Sequence, residues 1–270
     1  MVALPSPAAD PVPHHHREIA ESFGSDAARY DRARPHYPRA LAHAVLDGLP
    51  EKRVLDVGIG TGLSALPFRA EGADVVGVEV DERMAELARA RGFAVGLGRF
   101  EEWDARGAAF DAVIAGQTWH WIAPDAGASK AAALLHPGGR LAIFWNAGDP
   151  DPDIAAAFGE VYRSVDTGLP FTPWAAGVSA VDGYRHFLDK ATDGIRTTGA
   201  FDEPEALRFD WQATITRDAW LDSVPTMGGH NRIPADAMDA LLAGLGKAVD
   251  EHGGSFTMQY ATVGLAVARR

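Results

Sequence analysis

Three glycines at alternate positions, Gly58, Gly60 and Gly62, follow an acidic residue in the run Asp56-Val57-Gly58-Ile59-Gly60-Thr61-Gly62. Lacking side chains, such a loop lets the backbone approach a ligand and turn its N–H groups toward it. Glu79 lies 21 residues beyond Gly58, where a carboxylate accepts both hydroxyl protons of a ribose. These features together predict an adenosine-containing ligand, NAD or another. The spacing departs from the dinucleotide fingerprint GxGxxG, because the third glycine falls at 62 and position 63 is Leu.

A second group of reactive types lies in Phe110–Trp121, FDAVIAGQTWHW. His120 titrates near neutrality and is a candidate general base, or else a residue that orients a substrate. Trp119 and Trp121 flank it, one facing a pocket and the other packing inward. Tyr30, Arg34 and Tyr37 precede the glycine loop and are placed to close over a ligand, unless Arg34 is an ordinary solvated arginine. Trp174, Tyr184 and His186, and later Trp211, Trp220, His230 and Arg232, add candidates for an acceptor pocket.

The elements that must position these residues alternate. A polar helical stretch runs from about Glu18 to Arg32, and a helix from about Pro38 to Gly48 carries Leu41, Val45, Leu46 and Leu49 at helical spacing. Strands follow at Arg53–Val57, Val75–Val80, Phe93–Leu97, Phe110–Ala115 and Arg140–Trp145. Helices lie between them at Leu63–Ala70, Glu82–Arg91 and about Ala126–Leu135, with Asp81 an N-cap and Gly92 a stop. This alternation predicts a doubly wound, mostly parallel sheet whose ligands sit at the carboxyl ends of the strands. Beyond Ala147, helices are expected at Asp153–Val165, Asp182–Lys190 and Pro234–Glu251. A strand is expected at Leu207–Thr216, and one or two more over Phe256–Ala268.

The chain has 270 residues, 47% of them apolar, which suits one large domain or two small ones. The absence of cysteine removes disulfides, thiol nucleophiles and thiolate metal sites, and no metal site is expected. A net charge of −12, from 25 basic and 37 acidic residues, argues against broad nucleic-acid or anionic-membrane binding. The basic set is 21 Arg to 4 Lys, a bias that fits a GC-rich genome. The first 16 residues are rich in Pro and lack a basic start followed by an apolar stretch. They predict a mobile tail, no signal peptide and a cytoplasmic protein, with His14–His16 read as an accidental triplet on a flexible arm in preference to a metal site. No apolar run approaches the roughly 18–20 residues that span a bilayer.

The compressed GxGxG loop behind Asp56 resembles that of class I S-adenosylmethionine-dependent methyltransferases. VVGVEVDERM (75–84), FDAVIAGQTWHW (110–121) and LLHPGGRLAIFWN (134–146) extend the resemblance. The opening AARYDRARPHYP (27–38) and the triad Gln117, His120 and Trp121 are similar to the methyltransferase type 11 branch that contains trans-aconitate methyltransferase-like enzymes. The resemblance covers about residues 21–146.

It implies a Rossmann-like fold: an α/β, doubly wound, mostly parallel seven-stranded sheet with a helical N-terminal cap and a helical insertion after strand five. It implies that Gly58, Gly60 and Gly62 frame the methionine and ribose of S-adenosyl-L-methionine, with Asp56 supporting the loop or reaching the ligand's ammonium, unless it only caps a helix. Glu79 would hold the ribose, Met84 would pack near the adenine, and Phe100 and Glu101 would contact it. Gln117 would line the transfer site, and Tyr30 and Arg34 would close on the cofactor. Tyr37, Trp119, Trp121 and Trp174 would meet the acceptor. Arg99 stands where the family often has an acidic residue, which leaves the partner of the adenine amino group open.

The expected domain plan is a tail (1–17) and a methyltransferase domain (18–270). The domain divides into cap helices (18–50), a cofactor-binding core (51–146), a substrate-lid insertion (147–206) and C-terminal strands and helix (207–270). The expected reaction is methylation of a small molecule, on oxygen, with S-adenosyl-L-homocysteine as second product. N- or S-methylation, a noncatalytic binding module and an NAD(P)-dependent oxidoreductase are the alternatives. No nucleic-acid or membrane partner is expected, and the oligomeric state is open.

Overall fold

The computed structural model describes residues 23–169, 172–174 and 179–270. The tail at 1–17 and part of the loop at 168–177 lie outside them, as does the start of the helical stretch expected from Glu18. Seven strands form one sheet: β1 Arg53–Val57, β2 Asp74–Glu79, β3 Ala94–Leu97, β4 Phe110–Gly116, β5 Leu135–Pro150, β6 Glu205–Thr216 and β7 Ser255–Ala268. Their order is β3-β2-β1-β4-β5-β7-β6. The first five run parallel, and β7 is antiparallel to both β5 and β6. The order reverses between β1 and β4, so the ligand crevice lies at the carboxyl ends of these strands.

The described helices are α1 Ala27–Ala33, α2 Arg39–Leu46, α3 Ala65–Ala70, α4 Glu82–Ala90, α5 Pro124–Leu134, α6 Pro152–Ser164, α7 Ala180–Thr198, α8 Arg217–Ser223 and α9 Ala235–Glu251. Strand alternation distributes the core between two layers. Leu55 and Val57 pack with Val113, Leu141, Ile143 and Trp145 against α5 and α7. Val54, Ala112, Ile114, Ala142 and Phe144 face α2, α3 and α4 on the other side. A third apolar cluster joins α6, α8 and α9 to Phe256, Met258 and Tyr260 of β7.

Two elements outrun their sequence signals. The fifth strand is expected at Arg140–Trp145 but extends from Leu135 to Pro150. Its polar end is held by pairing with β7, Asn146 opposite Thr262 and Pro150 opposite Met258, so cross-strand partners override weak propensity. The helix expected at Asp182–Lys190 runs on to Thr198 and stops at Gly199, whose φ is +63°. Gly194 permits this extension, because a Cβ there would lie 2.7 Å from the backbone of Pro124 where α7 crosses α5. Among the described residues no helix is long and apolar enough to cross a membrane.

Candidate cofactor and acceptor site

The carboxyl ends of β1 to β5 open into a cavity of about 1250 Å³, counted out to its open mouth. Its floor is the glycine loop between β1 and α3. The amides of Gly58 and Ile59 donate to the Val78 carbonyl at 2.8 and 3.1 Å, which ties the loop to β2. Gly58, Gly60 and Gly62 all have positive φ, a region that disfavours side chains. They differ in what crowds them. A Cβ on Gly58 would lie 2.3 Å from Thr118 Cγ2, whereas one on Gly60 would meet only Met84 Cε at 3.5 Å. A Cβ on Gly62 would lie 2.8 Å from the Phe93 ring. Gly58 and Gly60 line the cavity; Gly62 serves helix–strand packing behind it.

Glu79, at the end of β2, lines the same wall. Its Oε2 accepts from the Gly60 amide at 2.8 Å, and its Oε1 accepts from the Val80 and Asp81 amides at 2.8 and 3.0 Å. Three amides thus fix the carboxylate, while burial raises its pKa above the usual value. Asp56 is buried behind the loop rather than on the cavity wall. Ser64 Oγ donates to its Oδ2 at 2.6 Å, while Oδ1 is buried with no partner among the described residues. Burial pushes its pKa up to about 8.

Met84, Phe100 and Glu101 line the end of the cavity nearest β2 and β3, together with Arg99. The Ala123 amide donates to Glu101 at 3.3 Å. Gln117 lies beyond β4 with φ at +58°, rare for a residue with a Cβ. Its Nε2 donates to the Asn146 carbonyl at 3.2 Å, and its Oε1 accepts from the Tyr184 hydroxyl at 3.4 Å. His120 and Trp121 follow in the short turn Trp119–Trp121, and both line the cavity. Trp145 Nε1–H donates to His120 Nδ1 at 3.1 Å, and burial draws the imidazole pKa down to about 3.

The segment carrying Tyr30, Arg34 and Tyr37 roofs the site, and all three line it. Tyr37 packs edge-on against Phe144 at 5.0 Å. Arg34 is 9% exposed; its Nη2 donates to the Thr226 carbonyl at 2.6 Å, and its Nε is buried without a partner among the described residues. The roof is fastened on two sides. Arg91 grips Asp31 through two nitrogens, at 2.6 and 2.7 Å, and Arg29 and Arg32 both reach Asp222 of α8.

Two residues expected at the acceptor lie elsewhere. Trp119 is 2% exposed and packs on Phe100 and against Gly127 of α5, outside the cavity wall. Trp174 joins Phe158 and Trp220 in the third apolar cluster, at ring distances of 5.7 and 5.4 Å. Large rings lower free energy most by burial among other rings, and both find such neighbours. Trp220 likewise belongs to that third cluster, and His230 meets its Tyr162 at 2.8 Å. Asn146, Thr118, Ser64 and Ile122 line the cavity without having been singled out. Asn146 was within reach of the strand-end rule, since it directly follows the apolar run of β5.

This geometry suits S-adenosylmethionine. A fixed carboxylate faces the cavity beside a glycine loop, an apolar end holds Met84 and Phe100, and the cavity wall includes an unpartnered buried donor on Arg34 and the Thr61 hydroxyl, also unpartnered. Comparison with known proteins agrees. The model of the methyltransferase domain family matches residues 55–143. An uncharacterized methyltransferase of Mycobacterium tuberculosis is 36% identical over 148 residues, 54% of this chain. The match spans 60% of that relative's length. The demethylmenaquinone methyltransferase of Thermus thermophilus is 34% identical over 197 residues, covering 69% of this chain and 80% of the relative. The solved structure of a protein assigned as a type II methyltransferase from Anaeromyxobacter dehalogenans shares the fold, with a TM-score of 0.60 and 23% identity over 87% of this chain and 97% of its own. A glycine loop of this spacing, an acidic residue closing β2 and the strand order around them therefore have one common explanation: the chain belongs to the class I S-adenosylmethionine-dependent methyltransferases.

Proposed function

We propose that the protein methylates an oxygen atom of a small-molecule acceptor. The observation that carries the small-molecule reading is the fastened roof. With α1 pinned by Asp31–Arg91 on one side and by Arg29 and Arg32 to Asp222 on the other, a compact acceptor fits beneath the roof more readily than a folded macromolecule, which supports the small-molecule reading. Bound in the cavity, S-adenosylmethionine would supply a methyl group activated by its sulfonium: the new bond would form between the acceptor oxygen and the methyl carbon as the C–S bond breaks, with S-adenosylhomocysteine as leaving group.

The residues divide the work. Glu79 holds the ribose hydroxyls, the Gly58–Gly60 backbone borders the methionine portion, and Met84, Phe100 and Glu101 surround the adenine. Asp56 supports the loop from behind through Ser64. Arg34 offers its unpartnered Nε–H to the cofactor carboxylate, with Tyr30 beside it. Gln117, Trp121, Tyr37 and His120 form the transfer end. Alignment and exclusion of water are what such a displacement needs from a protein.

Oxygen is favoured over nitrogen by the charges at the transfer end. A cationic amine needs a carboxylate beside it, but the two carboxylates on the wall, Glu79 closing β2 and Glu101 following β3, are assigned to the ribose and adenine end and leave none for the transfer end. The test is incubation with S-adenosylmethionine and panels of small carboxylic acids, phenols and amines, followed by mass spectrometry. Methyl esters or ethers are expected. Methylation confined to amines would overturn the choice of oxygen, and methylation confined to added protein or nucleic acid would overturn the small-molecule reading.

A further inference from the structure

His120 has two candidate roles, base or orienter, and its hydrogen bonding discriminates between them. An indole N–H can only donate. Trp145 Nε1 lies 3.1 Å from His120 Nδ1, so Nδ1 must supply the lone pair and carry no proton. In a neutral imidazole the single proton then resides on Nε2. Two rings pack against the imidazole: Phe187 of α7 stacks on it at 4.9 Å and 22°, and Trp121 lies at 4.6 Å, tilted by 44°. Nε2 has no hydrogen-bond partner among the described residues, and His120 lines the cavity.

We infer that Trp145 fixes His120 as the Nε2–H tautomer, so that it meets the methyl acceptor as a hydrogen-bond donor and not as a base. Trp145 is thus a positioning residue. The chemistry of the acceptor follows: it presents an oxygen lone pair to Nε2–H, as a carboxylate, carbonyl or phenolate does, and its nucleophile arrives ready to react. This part rests on the methyl-transfer reading above; the tautomer itself does not. The surroundings keep the ring neutral, since Phe187, Trp121 and Trp145 carry no charge and burial disfavours the imidazolium. The titratable side chains in the surrounding walls are Tyr184 of α7, whose hydroxyl is turned to Gln117, His186 on Phe187, and Tyr30, Arg34, Tyr37, Glu79, Arg99 and Glu101 of the cavity.

The experiment is ¹⁵N–¹H correlation spectroscopy of the histidine rings in the full-length protein, with the His120 signals assigned by their loss in His120→Asn. Expected is a pyridine-type Nδ1 and a pyrrole-type Nε2, unchanged between about pH 5 and 8. A pyrrole-type Nδ1, or a ring that titrates within that range, would overturn the inference. In Trp145→Phe, provided its melt is cooperative, the fixed pattern is expected to give way to averaged shifts on both nitrogens. Retention of the wild-type pattern would show that the indole does not set the tautomer. If Trp145→Phe fails to fold, the wild-type spectrum still decides where the proton lies.

Turnover adds a separate reading. Gln places an amide N–H near the position of Nε2 and cannot act as a base at neutral pH. His120→Gln is therefore expected to retain most of the activity that His120→Phe loses, whereas equal losses would restore the base. The two levels fail separately: a titrating His120 in a protein that binds S-adenosylhomocysteine refutes the tautomer alone. Absence of that binding refutes the methyl-transfer reading and leaves the tautomer standing.

Discussion

Arg91 and Asp31 join the roof of the cavity to its floor. Arg91 Nη1 lies 2.6 Å from Asp31 Oδ1 on α1 and 2.8 Å from the carbonyl of Thr61 in the glycine loop, while Nη2 takes the second carboxylate oxygen at 2.7 Å. One guanidinium just beyond α4 thus holds both the roof helix and the loop beneath it. Both side chains are about three-quarters buried, at 27% and 22% exposure, so the pair is less screened than a surface bridge.

Asp31→Asn is therefore expected to weaken S-adenosylhomocysteine binding by about 1 kcal/mol, roughly fivefold, with a smaller difference at high salt. Calorimetric titration at two ionic strengths checks this. Equal affinities at low salt would show that the roof contributes nothing to holding the cofactor. Arg91→Lys should not compensate, since an ammonium cannot reproduce the two-nitrogen grip.

Glu79→Ala is expected to cost roughly 1–3 kcal/mol of cofactor affinity, the scale of charge-assisted hydrogen bonds. It also releases three amides, of Gly60, Val80 and Asp81, so the melting temperature should fall as well. Glu79→Gln keeps an acceptor oxygen and should fall between wild type and Ala on both measures. Unchanged affinity in Glu79→Ala would remove the ribose assignment.

The glycines of the loop should separate packing from ligand approach. Gly58→Ala combines left-handed strain with a clash against Thr118 at 2.3 Å, and a loss of roughly 2–4 kcal/mol of stability is expected. Gly60→Ala meets only Met84 at 3.5 Å and should cost about 1–2 kcal/mol from backbone strain alone. Denaturant melts rank the two. The reverse order would mean that the loop shifts to absorb the Gly58 methyl.

Asp56 supplies a pH dependence of known sign. Its folded-state pKa is raised to about 8 by burial, with the charge of Glu79 adding to it. The folded protein therefore holds a proton that the unfolded chain releases near pH 4, so this group's contribution to stability declines as pH rises from about 4 to 8. Asp56→Asn abolishes that ionisation. The melting temperature of the variant relative to wild type should rise steadily from pH 6 to pH 8, and a difference independent of pH would show that Asp56 ionises freely in the fold.

Much of this site was legible in the sequence because short, local patterns encode it. The strand β1, the glycine loop and α3 are contiguous, and Glu79 falls at a strand end fixed by the run Val75–Val80. What escaped lies in contacts between distant segments. Trp119 and Trp121 are two residues apart in one turn, and no local pattern said which would face the cavity; Phe100 and α5 captured Trp119. Trp174 reads like a pocket aromatic, yet Phe158 and Trp220 were available to bury it.

By itself the sequence determined the alternating strands and helices, the glycine loop and the carboxylate at the end of β2, since each depends on spacing over a few residues. Only the tertiary structure decided the proton position on His120, the fastening of α1 and the length of β5. These depend on Trp145, on Arg91 and Asp222, and on β7, which stand 25, 60, 190 and more than 100 residues from their partners. Hydrogen bonds and ion pairs act over a few ångströms of space, and the chain brings such partners together only when the whole sheet has closed.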